Sequence, residues 1–170
     1  MKDIPIYDKT VAYATEHNEL EAYRASYKAN MDCRAAISEA INSNYKDNSL
    51  DTKTALKQLT DAFSLERIAV VTAVSVRHHD TDGRISAENK EWAKSVQFPK
   101  DMDNWGVDRN AVFSVEGTHT GLINLFANIV RKELEATKTV PIKKPSLIEK
   151  INRPLPKTTY KSDKMKGQEL

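Results

Sequence analysis

The twelve residues from His78 to Asn89, HHDTDGRISAEN, carry the most distinctive chemical pattern in the sequence. Oxygen-bearing side chains at alternate positions, a glycine at the sixth and an apolar residue at the eighth give the spacing of a helix–loop–helix calcium site. The spacing fails at both ends, because His78 stands where a hard cation needs a carboxylate and Asn89 where a bidentate glutamate is required. The pattern therefore favours a tight Asx-type turn between two helices over a calcium site.

The metal candidates in this segment are His78, Asp80 and Asp82. A transition metal held by His78, His79 and Asp80 is the remaining interpretation, although those residues lack further ligands at a recognisable spacing. His17 and His119 are isolated, and the sequence contains no nucleophile elbow, HExxH helix or Walker loop. These observations favour a protein that is not an enzyme and that uses no cofactor.

The single cysteine, Cys33, lies among helix-forming residues, so no internal disulfide can form and a reducing cytoplasm fits best. We expect a small buried side chain rather than a reactive thiol, because no motif places a base beside it. The start of the chain lacks the apolar core of a signal peptide, and no run approaches the roughly 18 apolar residues of a membrane span. We therefore expect a cytoplasmic protein with no membrane contact.

Aromatic residues supply candidate partner contacts. Trp92 and Trp105 flank a loop that also holds Phe98, Pro99 and Met102. Both tryptophans are candidates for the core or its edge, since aromatic side chains dominate core burial. Trp105 or Tyr27, if exposed, would instead be an anchor at an interface, and Trp105 is the candidate that we select for partner binding.

The charge distribution changes near residue 137. Residues 138–170 contain nine lysines and arginines and three acidic residues, a formal +6, whereas residues 1–137 carry 17 basic and 21 acidic residues, a formal −4. Four prolines interrupt any long helix in the basic segment, which we expect to form a flexible tail. This tail is either solvated without function or contacts phosphates or a charged partner. Its partner-binding candidates are Lys143, Lys144, Lys150, Arg153, Lys157 and Lys161.

Hydrophobic periodicity predicts a mainly α fold, in which residues 1–137 form a compact multi-helix domain with at most one short strand pair. The longest helix is expected from Glu19 to about Asn44, after a short helix that Asp8 caps. Residues 65–78 contain a run that is apolar on nearly all faces, and we favour a central buried helix over a buried strand there. Further helices are expected after Asp51 or Thr52, after Ser86, and after Thr118 or Thr120, and residues 111–115 are expected to be a strand or an extended packing segment.

A set of short motifs spread over residues 4–136 resembles an uncharacterised domain family found on mobile elements and phages of Firmicutes, often beside antirestriction-type proteins. The motifs that carry the resemblance are IPIY at 4–7, ELEAYRAS at 19–26, DGRIS at 82–86 with Asn89, WAK at 92–94, GL at 121–122 and RKEL at 131–134. The resemblance ends before the tail and transfers no catalytic residue. It implies a genomic context in which small accessory proteins block host defences, including CRISPR nucleases and restriction enzymes.

Two functions follow as expectations. The first is a non-catalytic inhibitor of anti-CRISPR or antirestriction type that docks on a host nuclease or its guide-RNA complex. A DNA mimic is disfavoured, because a net charge of +2 with a +6 tail has the wrong sign. The second is a nucleic-acid-binding accessory or regulator of a mobile element that places its tail lysines on phosphates.

Overall fold

A computed structural model describes residues 2–116 and 118–139. The described chain is mainly helical with one short antiparallel strand pair, which confirms the predicted fold class. Its α-helices are α1 (Val11–Glu16), α2 (Leu20–Ser43), α3 (Thr52–Thr60), α4 (Leu65–His78), α5 (Ala87–Ser95) and α6 (Thr120–Thr139). The strands are β1 (Tyr45–Lys46) and β2 (Ser49–Leu50), and a 3₁₀-helix spans Arg109–Phe113.

Helix α4 is the centre of the fold. Every residue from Arg67 to Val76 is buried, as the all-apolar run predicted, and the segment is a helix rather than a strand. Ser64 caps its first turn by accepting a hydrogen bond from the Arg67 N–H at 3.2 Å. One face of α4 packs in the main core, while Val70 and Val74 pack in a second cluster with Phe98 and Phe113. A helix between two apolar clusters can bury β-branched residues on all sides, which explains its composition.

Two hydroxyl groups inside α4 are satisfied locally. The Thr72 hydroxyl donates to the Ile68 carbonyl at 2.7 Å, and the Ser75 hydroxyl donates to the Val71 carbonyl at 2.9 Å. Ser75 Oγ also accepts from the Val115 N–H at 2.8 Å. These bonds let polar residues lie in the core without an orphaned group, and they attach the segment after the 3₁₀-helix to α4.

Helix α2 begins and ends within one residue of the bounds, 19 and about 44, that the hydrophobic periodicity predicted. Its buried stripe includes Cys33, Ile37 and Ile41, which belong to the main core. Cys33 is wholly buried, and burial raises the pKa of its thiol to about 12. It is therefore a small core side chain, as expected.

Arg67 is a wholly buried cation without a carboxylate partner among the described residues. Its guanidinium donates to three oxygens instead: the Ile4 carbonyl at 2.8 Å, the Ser26 carbonyl at 3.2 Å, and Asn30 Oδ1. Burial lowers the pKa of Arg67, although a guanidinium stays protonated in proteins. The three bonds join the N-terminal segment and α2 to α4.

The ends of the shorter helices test the predicted caps. Thr10, rather than the predicted Asp8, caps α1, because its hydroxyl accepts from the Tyr13 N–H at 3.1 Å. Asp51, one of the two predicted caps, precedes α3, and its carboxylate accepts from the Thr54 N–H at 3.1 Å. Between α2 and α3, Asp47 and Asn48 have φ of 53° and 59° and form the turn of the β1–β2 hairpin. Left-handed conformations at both turn positions suit Asp and Asn and match the twist of a two-residue hairpin.

Residues 109–113 form a 3₁₀-helix, so the expectation of a strand at 111–115 is wrong. The Asp108 carboxylate accepts from the Asn110 N–H at 3.0 Å and starts the helical turn. The chain becomes extended only at Ser114, and Val115 then enters the main core. A side-chain cap therefore overrides the β propensity of this apolar run.

An amide network joins α5 to α6. Asn89, wholly buried, donates from Nδ2 to the Asn124 side-chain oxygen at 2.7 Å and to Asn128 Oδ1 at 2.9 Å. Ser86 caps α5 as predicted, by accepting from the Asn89 N–H at 3.1 Å. Asn89 therefore fixes the packing of the two helices.

The chain divides into two units, Met1–Glu135 and Ala136–Leu170. The structure describes only residues 136–139 of the second unit, so the predicted domain boundary after residue 137 stays a prediction. Within the described ranges, no helix has both the length and the apolar character that a bilayer crossing needs.

Candidate docking surface

A cleft of about 800 Å³ opens between the C-terminal half of α4, α5 and the segment 96–100. Asp8 and Lys9 from the N-terminal segment and Asp108 and Ala111 near the 3₁₀-helix complete its lining. The volume lies within the usual range of small-molecule pockets, roughly 300–1,000 Å³. The apolar part of the lining consists of Val74, Val76, Val96, Phe98, Pro99 and Ala111.

Cationic side chains outnumber carboxylates around the cleft. The cationic residues are Lys9, Arg77, Lys90, Lys94 and Lys100, and the acidic ones are Asp8, Asp80 and Asp108. Two of the three carboxylates are already engaged. Asp8 pairs with Lys9 at 3.2 Å, and the Asp108 carboxylate accepts from the Asp101 N–H at 2.8 Å as well as from Asn110. The cleft is therefore positively charged at neutral pH.

Arg77 builds one wall of the cleft. Its guanidinium donates to three backbone carbonyls: from Nε to Ala93 at 2.9 Å, from Nη2 to Val96 at 2.5 Å, and from Nη1 to Phe98 at 3.1 Å. These carbonyls belong to the last turn of α5 and the chain beyond it, where a helix leaves its carbonyls without intrahelical partners. Arg77 thus holds the segment 96–98 in place. Its guanidinium donors are used in these bonds, so fewer of them are available to a ligand.

The loop from Met102 to Asp108, termed here the Trp105 loop, displays three exposed apolar side chains. Trp105 is 87% exposed, Val107 56% and Met102 52%. The predicted alternative that Trp105 belongs to the core is therefore wrong, and Trp105 is the most exposed of the large apolar residues in the described chain. An indole at this exposure has nearly all of its apolar surface available for a partner.

Hydrogen bonds within the loop fix its backbone. The Asp103 carboxylate accepts from the Trp105 N–H at 2.8 Å and from the Val107 N–H at 2.9 Å, and these bonds hold the pKa of Asp103 below its usual value. Gly106, with φ of 79°, adopts the left-handed conformation that the turn requires, and its N–H donates to the Asp103 carbonyl at 3.1 Å. The loop thus presents Trp105 on an ordered backbone.

Asp101 anchors the base of the loop. It is 4% exposed, and its carboxylate accepts from the Val11 N–H at 2.9 Å and from Arg109 Nη1 at 3.0 Å. This contact ties the loop to the first residue of α1. The loop also adjoins the cleft, because Asp108, its last residue, and Lys100, two residues before its start, both line the cleft. The cleft and the Trp105 loop together are termed the docking surface below.

The structure places only some of the sequence-predicted site residues. Trp105 lies on the docking surface, whereas the tail candidates are outside the described residues: Lys143, Lys144, Lys150, Arg153, Lys157 and Lys161.

Sequence reasoning missed the cleft lysines. Lys90 and Lys94, one helical turn apart on α5, were the available signal, because residues at i and i+4 share a helix face.

The metal candidates at 78–82 are arranged as a turn. The Asp82 carboxylate accepts from Arg84 Nη2 at 2.8 Å and from the Arg84 N–H at 2.8 Å, and these bonds hold the pKa of Asp82 far below its usual range. Asn89, which would complete a calcium loop, belongs instead to the α5–α6 amide network. Over residues 2–116 and 118–139, no group of three or more histidine, cysteine or acidic side chains is placed to hold a metal ion. Of the three candidates, His78 and Asp80 line the cleft, and Asp82 is paired with Arg84.

Comparison with known proteins gives a family and no function. The model of a family described as "Protein of unknown function (DUF3849)" matches residues 6–135. No curated protein and no solved structure matches the chain. The match covers α1 to α5, the docking surface and most of α6, and leaves out the basic tail. The chain therefore belongs to the DUF3849 family.

Proposed function

We propose that this protein is a non-catalytic binding protein that docks on a larger macromolecular partner through the docking surface, with Trp105 as the anchor. The observation that carries the proposal is the 87% exposure of Trp105 on a loop whose backbone is fixed by Asp103. Tryptophan is among the residues most enriched at the energetic centres of interfaces. An anchor on an ordered loop loses little conformational entropy on binding, so more of its burial energy appears as affinity.

The partner class we propose is a nuclease complex of a host defence system, which the protein inhibits as an anti-CRISPR or antirestriction factor in the cytoplasm of a bacterial cell. The sequence motifs that resemble proteins of phages and mobile elements support this class. Its charge, a net +2 with +6 in residues 138–170, suits steric or conformational blocking or contact with guide RNA rather than mimicry of DNA.

The test is capture of the partner from host lysate followed by an interference assay. The full-length chain should retain a defence nuclease and reduce plasmid interference, and Trp105→Ala should lose both effects. Tyr45→Ala is the matched control, because Tyr45 is also an exposed aromatic side chain but lies in the β1–β2 hairpin. Unimpaired interference across a broad panel of CRISPR and restriction systems would refute the partner class, and equal capture by Trp105→Ala would refute the anchor.

A second candidate function, nucleic-acid binding by a regulator of a mobile element, is favoured by the formal +6 of residues 138–170. Lysines that neutralise phosphates release counterions, so the affinity should fall steeply with salt. Deleting residues 140–170 should then abolish binding to DNA or RNA while Trp105→Ala leaves it intact. Binding that ignores both salt and the deletion would remove this candidate.

A further inference from the structure

The charged and apolar side chains that line the cleft select a particular class of ligand, and this selection is separate from the contact that Trp105 makes. We infer that it binds an acidic protein segment in extended conformation, in which carboxylates alternate with apolar side chains. The inference rests on the proposed function in one respect, namely that the partner includes a protein. It adds which part of that partner enters the cleft and why.

The first argument is uncompensated positive charge. In the described part of the chain, Lys90 and Lys100 form no ion pair, and Lys94 has only a contact of 3.4 Å with the exposed Glu91. Of the three carboxylates at the cleft, Asp8 is paired with Lys9, whereas Asp108 accepts from backbone N–H groups and keeps its charge, as does Asp80. Three lysines facing two carboxylates leave a net positive charge, which favours an anionic ligand.

The second argument is the apolar lining beneath those lysines. Val96, Pro99 and Ala111, which are half-buried, line the same cleft, so a ligand with charge alone would leave this surface without a partner. Side chains of an extended peptide point alternately to opposite faces. A segment with alternating acidic and apolar residues can therefore direct one set to the lysines and the other to the lining.

The spacing of the lysines fits such a segment. Lys90 and Lys94 are one helical turn apart on α5, and the Cβ atoms of residues at i and i+4 lie about 5–6 Å apart. Every second residue of an extended chain recurs at roughly 6.6 Å, since each residue adds about 3.3 Å. The long lysine side chains span the small difference, so two alternate carboxylates can each meet one ammonium group.

Other occupants fit less well. The chain's own residues 138–170 carry a formal +6, the same sign as the cleft, so their charge does not complement it. Phosphates of a single-stranded nucleic acid would also pair with lysines, but bases need an exposed aromatic face for stacking. The aromatic side chain of the cleft, Phe98, is only 8% exposed, and its ring contacts Phe113 edge to face. The exposed indole of Trp105 lies on the adjoining loop and not in the cleft lining, so inside the cleft itself a peptide is favoured over a nucleic acid.

The inference can be tested on the full chain with a fluorescein-labelled peptide of alternating glutamate and leucine, by fluorescence anisotropy. We expect salt-sensitive binding to the wild type, at least about a tenfold loss of affinity in Lys90→Glu/Lys94→Glu, and no binding of a peptide in which lysine replaces glutamate. Lys53→Glu/Lys57→Glu is the matched control, because those exposed lysines are also one turn apart but lie on α3. Circular dichroism of each variant verifies that it is folded.

The outcomes separate the possibilities. Failure of the wild type to bind the glutamate peptide, or equal losses in the α5 and α3 variants, would overturn the inference. A single-stranded oligothymidylate that binds more tightly and displaces the peptide would overturn it in favour of nucleic acid. Partner capture that depends on Trp105 but is unaffected by the α5 variant would leave the proposed function intact and remove only the role of the cleft. Peptide binding without any captured partner would support the role of the cleft and count against the proposed function.

Discussion

Replacing Arg67 with methionine tests whether a buried guanidinium without a carboxylate partner stabilises this fold. The substitution removes the donors to the Ile4 carbonyl, the Ser26 carbonyl and Asn30 Oδ1. Each hydrogen bond from a charged donor contributes about 1.5–3 kcal/mol. The loss is partly offset, because methionine avoids the desolvation cost of a buried charge, which amounts to several kcal/mol. We expect a net loss of about 2–4 kcal/mol in the free energy of unfolding.

Urea unfolding followed by circular dichroism measures this loss. With a slope of roughly 1–3 kcal/mol per molar urea, the midpoint should fall by roughly 0.7–4 M. Arg67→Lys should not rescue stability, because a compact ammonium on a straight stem cannot reproduce the planar fork of donors. Arg24→Met is the matched control: Arg24 is an exposed residue of α2, so its replacement should change stability by less than about 0.5 kcal/mol.

Two further observations decide between explanations. A double-mutant cycle of Arg67→Met with Asn30→Ala should give a coupling energy of about 0.5–3 kcal/mol, because the two side chains are bonded to each other. Limited proteolysis should cut the N-terminal segment sooner in Arg67→Met, since the bond to the Ile4 carbonyl is lost. An unchanged or higher urea midpoint in Arg67→Met would refute the argument that three oxygens compensate the buried charge.

Three other predictions concern single side chains. Asp51→Ala should lower the free energy of unfolding by about 1 kcal/mol, because α3 loses its cap, whereas Asp51→Asn should retain most of it; urea unfolding compares the two. Cys33 should resist alkylation in the native protein at mildly alkaline pH and react in denaturant, because burial raises the pKa of its thiol to about 12; rapid native labelling would contradict this. Burial and the hydrogen bond to Glu19 raise the pKa of Tyr7 to about 12. The unfolded phenol ionises near pH 10, so the stability that Tyr7 contributes is present below pH 10 and is lost as the pH rises toward 12; Tyr7→Phe should lose less stability than the wild type over that range in urea unfolding.

Local patterns in the sequence predicted most helices because the interactions that set them are short-range. Ser86 was expected at a helix start, as was Asp51 as one of two candidates, and each accepts a hydrogen bond from the N–H three residues later. The apolar run at 68–76 predicted a central helix because no solvated face was possible. The same reasoning failed at 111–115, where a cap from Asp108 outweighs strand propensity.

The partner site was less accessible to such reasoning. Trp105 was selected from the sequence as an anchor only if exposed, and exposure depends on packing across the whole domain. Its position is set by Asp101, which bonds to Val11, 90 residues earlier in the chain. No local pattern in residues 102–108 encodes that contact.

Local sequence patterns were enough to predict the helical class, the order of the main helices, the buried character of Cys33 and the opposite charges of the body and the C-terminal residues, because periodicity, capping and charge are properties of neighbouring residues. The cleft that α4, α5 and the segment 96–100 enclose is visible only in the folded chain, as is the shortage of carboxylates to balance Lys90, Lys94 and Lys100. Whether a charge is compensated depends on which distant side chains folding brings within a few ångströms, and that information is not local to any part of the chain.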